Sequence, residues 1–376
     1  MEKVMSRKLI SISTIMTLMS TSVMADVPNV AADIAPIHSL VSRVMDGVGE
    51  PKLVIQSGAS PHGYRLRPSE AKALQDANLI FWMGEELTPW LDGAIDTLAS
   101  NSSVTSLLDQ EGVVLHDFRE GALFEAHDHS AHDDHDDHDD HKDHDDHDDH
   151  DDHDDHDDHD DHDDHDDHDN HDDHKDHDDH DDHEDHDDHE DHDDHDDHDD
   201  HDDHGHGAHD PHAWLSPENA KLWLNIIASK LSVADPENAA NYFTNAAAGQ
   251  AEIEEMISEV SATLKPVKGG KFVVFHDAYQ YFENDFDFYA SGAISLSDAS
   301  DPSPARIAKV QSRIRDEGIQ CVLAEPQFNQ GLVATVMEGS NATASVIDPL
   351  GADIKPGPKL YTQLIKNMAK TLRDCL

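Results

Sequence analysis

Three histidines and one aspartate occupy positions from which they could hold a metal ion together. His62 follows the apolar run Leu53-Val54-Ile55 across the turn Ser57-Gly58-Ala59-Ser60-Pro61, and His276 directly follows Phe272-Val273-Val274-Phe275. Asp348 ends Ala344-Ser345-Val346-Ile347 and precedes Pro349-Leu350-Gly351, while His212 stands in Asp210-Pro211-His212-Ala213-Trp214-Leu215-Ser216-Pro217, just ahead of a capped helix start. One such histidine alone reads as a satisfied polar residue. His62, His276 and Asp348 lie beyond strand ends, where open α/β sheets place their ligands, and four such residues at corresponding loop positions read as a site. Three imidazoles and a carboxylate make a four-donor set suited to tetrahedral zinc, whereas manganese or magnesium would draw on more oxygen. The other isolated histidines read as packed or surface residues: His38 in the first turn after Pro36, and His116 closing Val113-Val114-Leu115.

A second metal-capable chemistry fills residues 127–206. That stretch holds 28 of the 34 histidines, with Asp-Asp-His repeating from His132 to His204, and His209 reads as its outlier. Its 46 acidic residues face only Lys142 and Lys175, so −44 of the chain's formal charge of −58 lies here. Such a segment has no apolar surface to offset chain entropy, and a three-residue period slips around a 3.6-residue helical turn. It reads as a disordered loop whose imidazole and carboxylate density suits weak, multivalent zinc collection. A solvated polyanion and a pH sensor are the alternatives.

The elements that must position the four residues are legible around them. Leu53-Val54-Ile55, Leu79-Ile80-Phe81-Trp82, Phe272-Val273-Val274-Phe275, Cys321-Val322-Leu323-Ala324 and Ala344-Ser345-Val346-Ile347 are apolar throughout, as parallel strands buried on both faces are. Ser216-Pro217, Asp235-Pro236 and Ser303-Pro304 each set a capping side chain before a proline at the first helical position. This alternation predicts an α/β chain. A pattern running from 236 to 265, with Ile253, Met256, Ile257, Val260 and Leu264 on one face, predicts a helix of about 45 Å, long enough to cross two lobes. The expected organisation is an N-terminal α/β lobe over 26–235 interrupted by the loop 127–206, a linking helix over 236–265 and a C-terminal α/β lobe over 271–376.

Residues 1–25 read as a signal peptide: Lys3, Arg7 and Lys8 precede an apolar stretch from Leu9 to Val23, and Val23-Met24-Ala25 offers a cleavage site. A retained anchor is the alternative. Export makes the two cysteines, Cys321 and Cys375, a disulfide pair, and their number and spacing exclude a redox CxxC or a cysteine-ligated zinc site. No P-loop is present.

Four blocks together resemble the metal-site motifs of periplasmic zinc-binding proteins of ABC uptake systems, the ZnuA type. They are Ser60-Pro61-His62-Gly63-Tyr64-Arg65-Leu66-Arg67-Pro68-Ser69, Asp210-Pro211-His212-Ala213-Trp214-Leu215-Ser216-Pro217, Val274-Phe275-His276-Asp277-Ala278-Tyr279 and Ile347-Asp348-Pro349-Leu350-Gly351. The resemblance spans the mature chain, and family members also carry a His/Asp-rich loop between the first two blocks. It implies two lobes, each with a mostly parallel sheet flanked by helices, bridged by one long rigid helix, with zinc held in the cleft by His62, His212 and His276. The family fills the fourth position with an acidic residue or water; Pro61 stands where some members have Glu, which leaves Asp348 as the candidate. A Cys321–Cys375 disulfide is similar to that of some Gram-negative members. Zinc is then a transported ligand and no cofactor is catalytic. The implied partners are an ABC membrane permease with its cytoplasmic ATPase and a periplasmic zinc chaperone, with no nucleic acid, and the implied state is a Sec-exported periplasmic monomer of a Gram-negative cell.

Three rivals remain from the residues. Manganese or another divalent ion could be the cargo, although relatives of manganese type carry an acidic residue where His276 stands. A zinc buffer or adhesin would make 127–206 its working part. A zinc hydrolase would need a general base, for which Glu325 in Ala324-Glu325-Pro326 is the nearest candidate; no HExxH occurs.

Overall fold

The computed structural model describes residues 27–119, 124, 209–295, 302–328 and 330–376; the expected signal peptide 1–25 and the expected loop 127–206 lie outside the described residues. The first sheet is built from β1 (Val30–Ala32), β2 (Lys52–Leu53), β3 (Leu79–Trp82) and β4 (Ser103–Ser106), in the order β2-β1-β3-β4 and parallel throughout. Between the strands run α1 (Ala35–Val44), α2 (Pro68–Gln75) and α3 (Pro89–Leu98). The second sheet repeats the plan with β5 (Phe272–His276), β6 (Ala293–Ser295), β7 (Cys321–Ala324) and β8 (Thr343–Val346), ordered β6-β5-β7-β8 and again parallel. Its connections are α6 (Gln280–Phe286), α7 (Pro304–Asp316) and α8 (Gln330–Val336), and the chain ends in α9 (Leu360–Cys375).

The apolar runs are explained by two-sided burial. Along β5, Phe272 and Val274 join one core cluster and Val273 and Phe275 the other, the period-two alternation of a strand covered on both faces. The expected run at Ala344–Ile347 behaves differently. As β8 it is the sheet edge, and most of it is exposed.

Between the two sheets the chain runs through α4 (Pro217–Ala234) and the longer α5 (Ala239–Leu264). Ser216 caps α4 by accepting the Asn219 N–H, with Pro217 in the first turn, as its sequence predicts. The expected cap at Asp235 takes another form: its carboxylate accepts from Asn238 Nδ2 and Tyr242 OH at 2.8 Å each, and Pro236–Asn238 form a 3-10 turn. The α5 helix spans 26 residues, about 39 Å, with Tyr242, Ala246, Gly249, Ile253, Met256, Val260 and Leu264 on its buried face. Gly249 sits at a close approach, since a Cβ there would lie 3.0 Å from Leu224 Cδ1 of α4 and 3.1 Å from Arg43 Cγ of α1. One core cluster runs from the first sheet through α1, α4 and α5 to α9. Polar contacts reinforce it: Ser39 donates to Gly357 O at 2.7 Å, and Tyr361 OH donates to Trp214 O at 3.0 Å. No helix among the described residues is long and apolar enough to cross a membrane.

Cys321 of β7 is joined to Cys375 at the end of α9 across a sequence separation of 54. Loop closure of that size stabilises the fold by up to about 4 kcal/mol. Replacing both cysteines with alanine is expected to cost about 2–4 kcal/mol. Urea unfolding of the oxidised protein beside the double variant measures this, and coincident curves would contradict it.

His38 is buried in α1, where Nε2–H donates to Pro51 O at 3.1 Å. Burial holds its pKa below the ordinary value of 6.5. In the unfolded chain this ring takes a proton near pH 6.5, while in the fold it stays neutral to lower pH. Its contribution is therefore complete above about 6.5 and is lost as the pH falls through the lowered folded value. His38→Gln keeps a donor for Pro51 O and is expected to flatten the loss of stability as the pH falls below about 6.5. Identical pH profiles of unfolding free energy for the two proteins would contradict this.

Candidate metal centre

The second sheet delivers the first ligand. His276 is the last residue of β5 and is buried. The register Phe272↔Cys321 to Val274↔Leu323 carries forward to set Glu325, just past β7, level with His276. Glu325 Oε1 accepts the His276 Nδ1–H at 2.6 Å. His212 opens the 3-10 turn Ala213–Leu215 ahead of α4, and Asp210 Oδ1 accepts both its backbone N–H at 3.0 Å and its Nδ1–H at 2.7 Å. Both carboxylates are 1–2% exposed, so each fixes one tautomer and directs Nε2 forward. Burial pushes Asp210 up to about 7, against the His212 backbone N–H and the charge of Arg119.

The two Nε2 atoms stand 3.4 Å apart. Donors bound to one tetrahedral zinc at 2.0–2.1 Å are separated by about 3.3–3.4 Å, so this edge already has the spacing of a zinc site. His62, half-buried on the turn after β2, completes the group, and the ligand atoms of His62, His212 and His276 all lie within 4.8 Å of one another. Its backbone N–H donates to Ser60 Oγ at 3.3 Å. The rings enclose a cavity of about 10 Å³, the space of one water-sized sphere, with Trp214, Phe328 and Leu350 as apolar walls. Trp214 is held in place by its Nε1–H to Pro349 O, 2.8 Å.

Asp348 is not brought to the histidines. Its Oδ1 accepts the N–H groups of Leu350 and Gly351 at 3.0 Å each and its Oδ2 that of Ala352, so the carboxylate is engaged by the turn that begins at Pro349. Gly351, at φ +73°, supplies the left-handed residue this turn needs. His116 packs against Tyr281, the rings tilted and their centroids 4.6 Å apart. His209 is tied to the folded body instead of standing apart from it: it bridges to Asp117 and its Nδ1 lies 3.0 Å from Asp117 Oδ1.

The supporting roles of three groups were not read from the sequence, where Glu325 stood only as a candidate general base. Asp210 stands two residues before a ligand and could have been noticed on that ground. Glu325 could be placed behind His276 only once β5 and β7 were known to pair. Arg119 is remote in sequence from its partners. Its guanidinium donates to both oxygens of Asp277, next to His276, and to Glu283 Oε2 at 2.6 Å, and it lies 3.7 Å over the Phe124 ring. Burial raises the Asp277 and Glu283 carboxyls while Arg119 lowers them.

Comparison with known proteins shows the family. A family model described as zinc-uptake complex component A, periplasmic, matches residues 30–375. The high-affinity zinc uptake system protein ZnuA of Brucella abortus (strain 2308) is 45% identical over 347 residues, covering 92% of this chain and 91% of the relative. The protein of the same name from Paracoccus denitrificans is 41% identical over 353 residues, with coverage of 94% and 93%. Among solved structures, a ZnuA deletion mutant with zinc bound superposes with a TM-score of 0.62 at 18% identity, covering 93% of this chain and 98% of that one, a likeness of fold.

Proposed function

The chain belongs to the periplasmic zinc-uptake complex component A family, and from that premise we propose that it captures zinc on His62, His212 and His276 and delivers it to its permease. It is a zinc-binding solute-binding protein of an ABC uptake system, a carrier and not an enzyme family, and zinc is its cargo. The observation that carries the ligand assignment is the 3.4 Å Nε2–Nε2 edge between two rings whose Nδ1 atoms are each anchored on a buried carboxylate. Two neutral imidazoles aimed at one point are stabilised by a cation between them, and preset orientation lowers the cost of binding. Three nitrogen donors favour a borderline ion such as zinc over manganese. Glu325 supports this reading over the hydrolase, because its Oε1 is engaged on His276 Nδ1, where it orients a ligand.

On this reading residues 1–25 direct Sec export to the periplasm of a Gram-negative cell, residues 26–235 and 271–376 form the two lobes, and 236–265 links them. The loaded monomer docks on the permease, whose ATPase works from the cytoplasmic side, and a periplasmic zinc chaperone is a further partner. Residues 127–206 act as an accessory collector. Calorimetric zinc titration of the intact mature protein beside a variant lacking 127–206 tests this division. One tight site is expected in both and several weak sites only in the intact chain. Loss of all tight binding with the deletion would move the function to the His/Asp repeat and support the buffer or adhesin instead.

A further inference from the structure

Three histidines leave one corner of a zinc tetrahedron open, and the carboxylates nearby already hold other groups. Asp210 Oδ1 holds His212, Glu325 Oε1 holds His276, and Asp348 is engaged by backbone N–H groups. Of the other polar groups lining the cavity, Ser60 Oγ accepts from His62 N–H and Trp214 Nε1 donates to Pro349 O. Gln327 differs from all of these. It lines the same cavity, and both its Oε1 and its Nε2 are buried with no hydrogen-bond partner. A buried amide with donor and acceptor both unused is costly and calls for an explanation.

We propose that Gln327 is a specificity-determining residue that holds the solvent molecule on zinc's fourth position, its carbonyl oxygen accepting a hydrogen bond from that water. The inference rests on the three-histidine reading of the site. The chemistry suits the amide: a zinc-bound water is a strong donor, and Oε1 is an acceptor that brings no charge. A neutral partner leaves affinity to the imidazoles and so disfavours harder ions, which a carboxylate at the same place would attract. Position supports the assignment too, since Gln327 lies two residues after Glu325; one short segment both orients His276 from behind and reaches the cavity.

The test uses the full mature chain with one molar equivalent of metal, so that the tight site fills first. Zinc and manganese affinities are measured by chelator competition, and Co²⁺ is read by its visible absorption, which reports tetrahedral geometry and the identity of the fourth donor. Gln327→Leu is expected to weaken zinc by about 10–100-fold, as loss of an outer partner does, and to change the Co²⁺ band shape. Gln327→Glu is expected to narrow the zinc-over-manganese preference at least about tenfold by raising manganese affinity. Wild-type zinc affinity and Co²⁺ spectrum in Gln327→Leu, with an unchanged metal preference in Gln327→Glu, would overturn the inference while leaving the histidine site standing. A wild-type chain that gives no tetrahedral Co²⁺ spectrum, and binds zinc as tightly after His276→Ala, would overturn both.

Discussion

His276→Ala is expected to abolish tight zinc binding, weakening it by well over about 100-fold, the upper range for groups that merely support a ligand. The ring supplies one of the two nitrogens already at zinc spacing, and its loss strands the buried Glu325 carboxylate that faced it. Because stranding a buried charge also costs stability, His62→Ala serves as the companion: His62 is only half-buried and the group it loses is chiefly the ligand. Both variants should keep the weak sites attributed to residues 127–206. Chelator competition on each variant reads the tight site directly, and affinity within tenfold of wild type in both would remove these residues from the ligand set.

Arg119→Met is expected to be the most damaging single change to stability, at about 3–5 kcal/mol. It removes the one cation shared by Asp277 and Glu283, whose side chains are 6% and 1% exposed beside an arginine that is itself 14% exposed. Burial already raises both carboxyls, and without the guanidinium they must stay charged and unpaired or take up protons. The variant's deficit should therefore shrink as the pH falls and the carboxyls protonate. Adding Asp277→Asn and Glu283→Gln to Arg119→Met should recover much of the loss, since neutral amides carry no charge to strand. Urea unfolding of the three proteins measures this; a loss below about 1 kcal/mol in Arg119→Met would show the pair to be solvated in solution.

How much of this was written in the sequence depends on the range of the interaction. β3, β5 and β7 were legible because helices cover both faces and every residue must be apolar. The α4 start at Ser216-Pro217 and the long α5 face were legible because capping and helical periodicity are local. Strands β1, β4 and β6 were not, being three or four residues long and built of small or polar residues such as Ala31, Ser103 and Ser295. His62 and His276 stood out because strand ends announce a site, and His212 because it stands just ahead of a capped helix. Asp348 obeyed the same rule and was drawn elsewhere, because the turn at Pro349-Leu350-Gly351 presents three backbone N–H groups to its carboxylate. Glu325 and Arg119 act on partners about 50 and 160 residues distant, and only the sheet register and the packing of α6 disclose them.

The central claim is that one zinc ion sits on three imidazoles of the folded body, and zinc X-ray absorption of the intact mature protein loaded with a single equivalent tests it most directly. Three imidazole nitrogens and one oxygen at about 2.0 Å are expected, with the imidazole signal reduced in His62→Ala. A first equivalent bound mainly by carboxylate oxygen, or a spectrum untouched by His62→Ala, would place the tight site elsewhere and contradict the account.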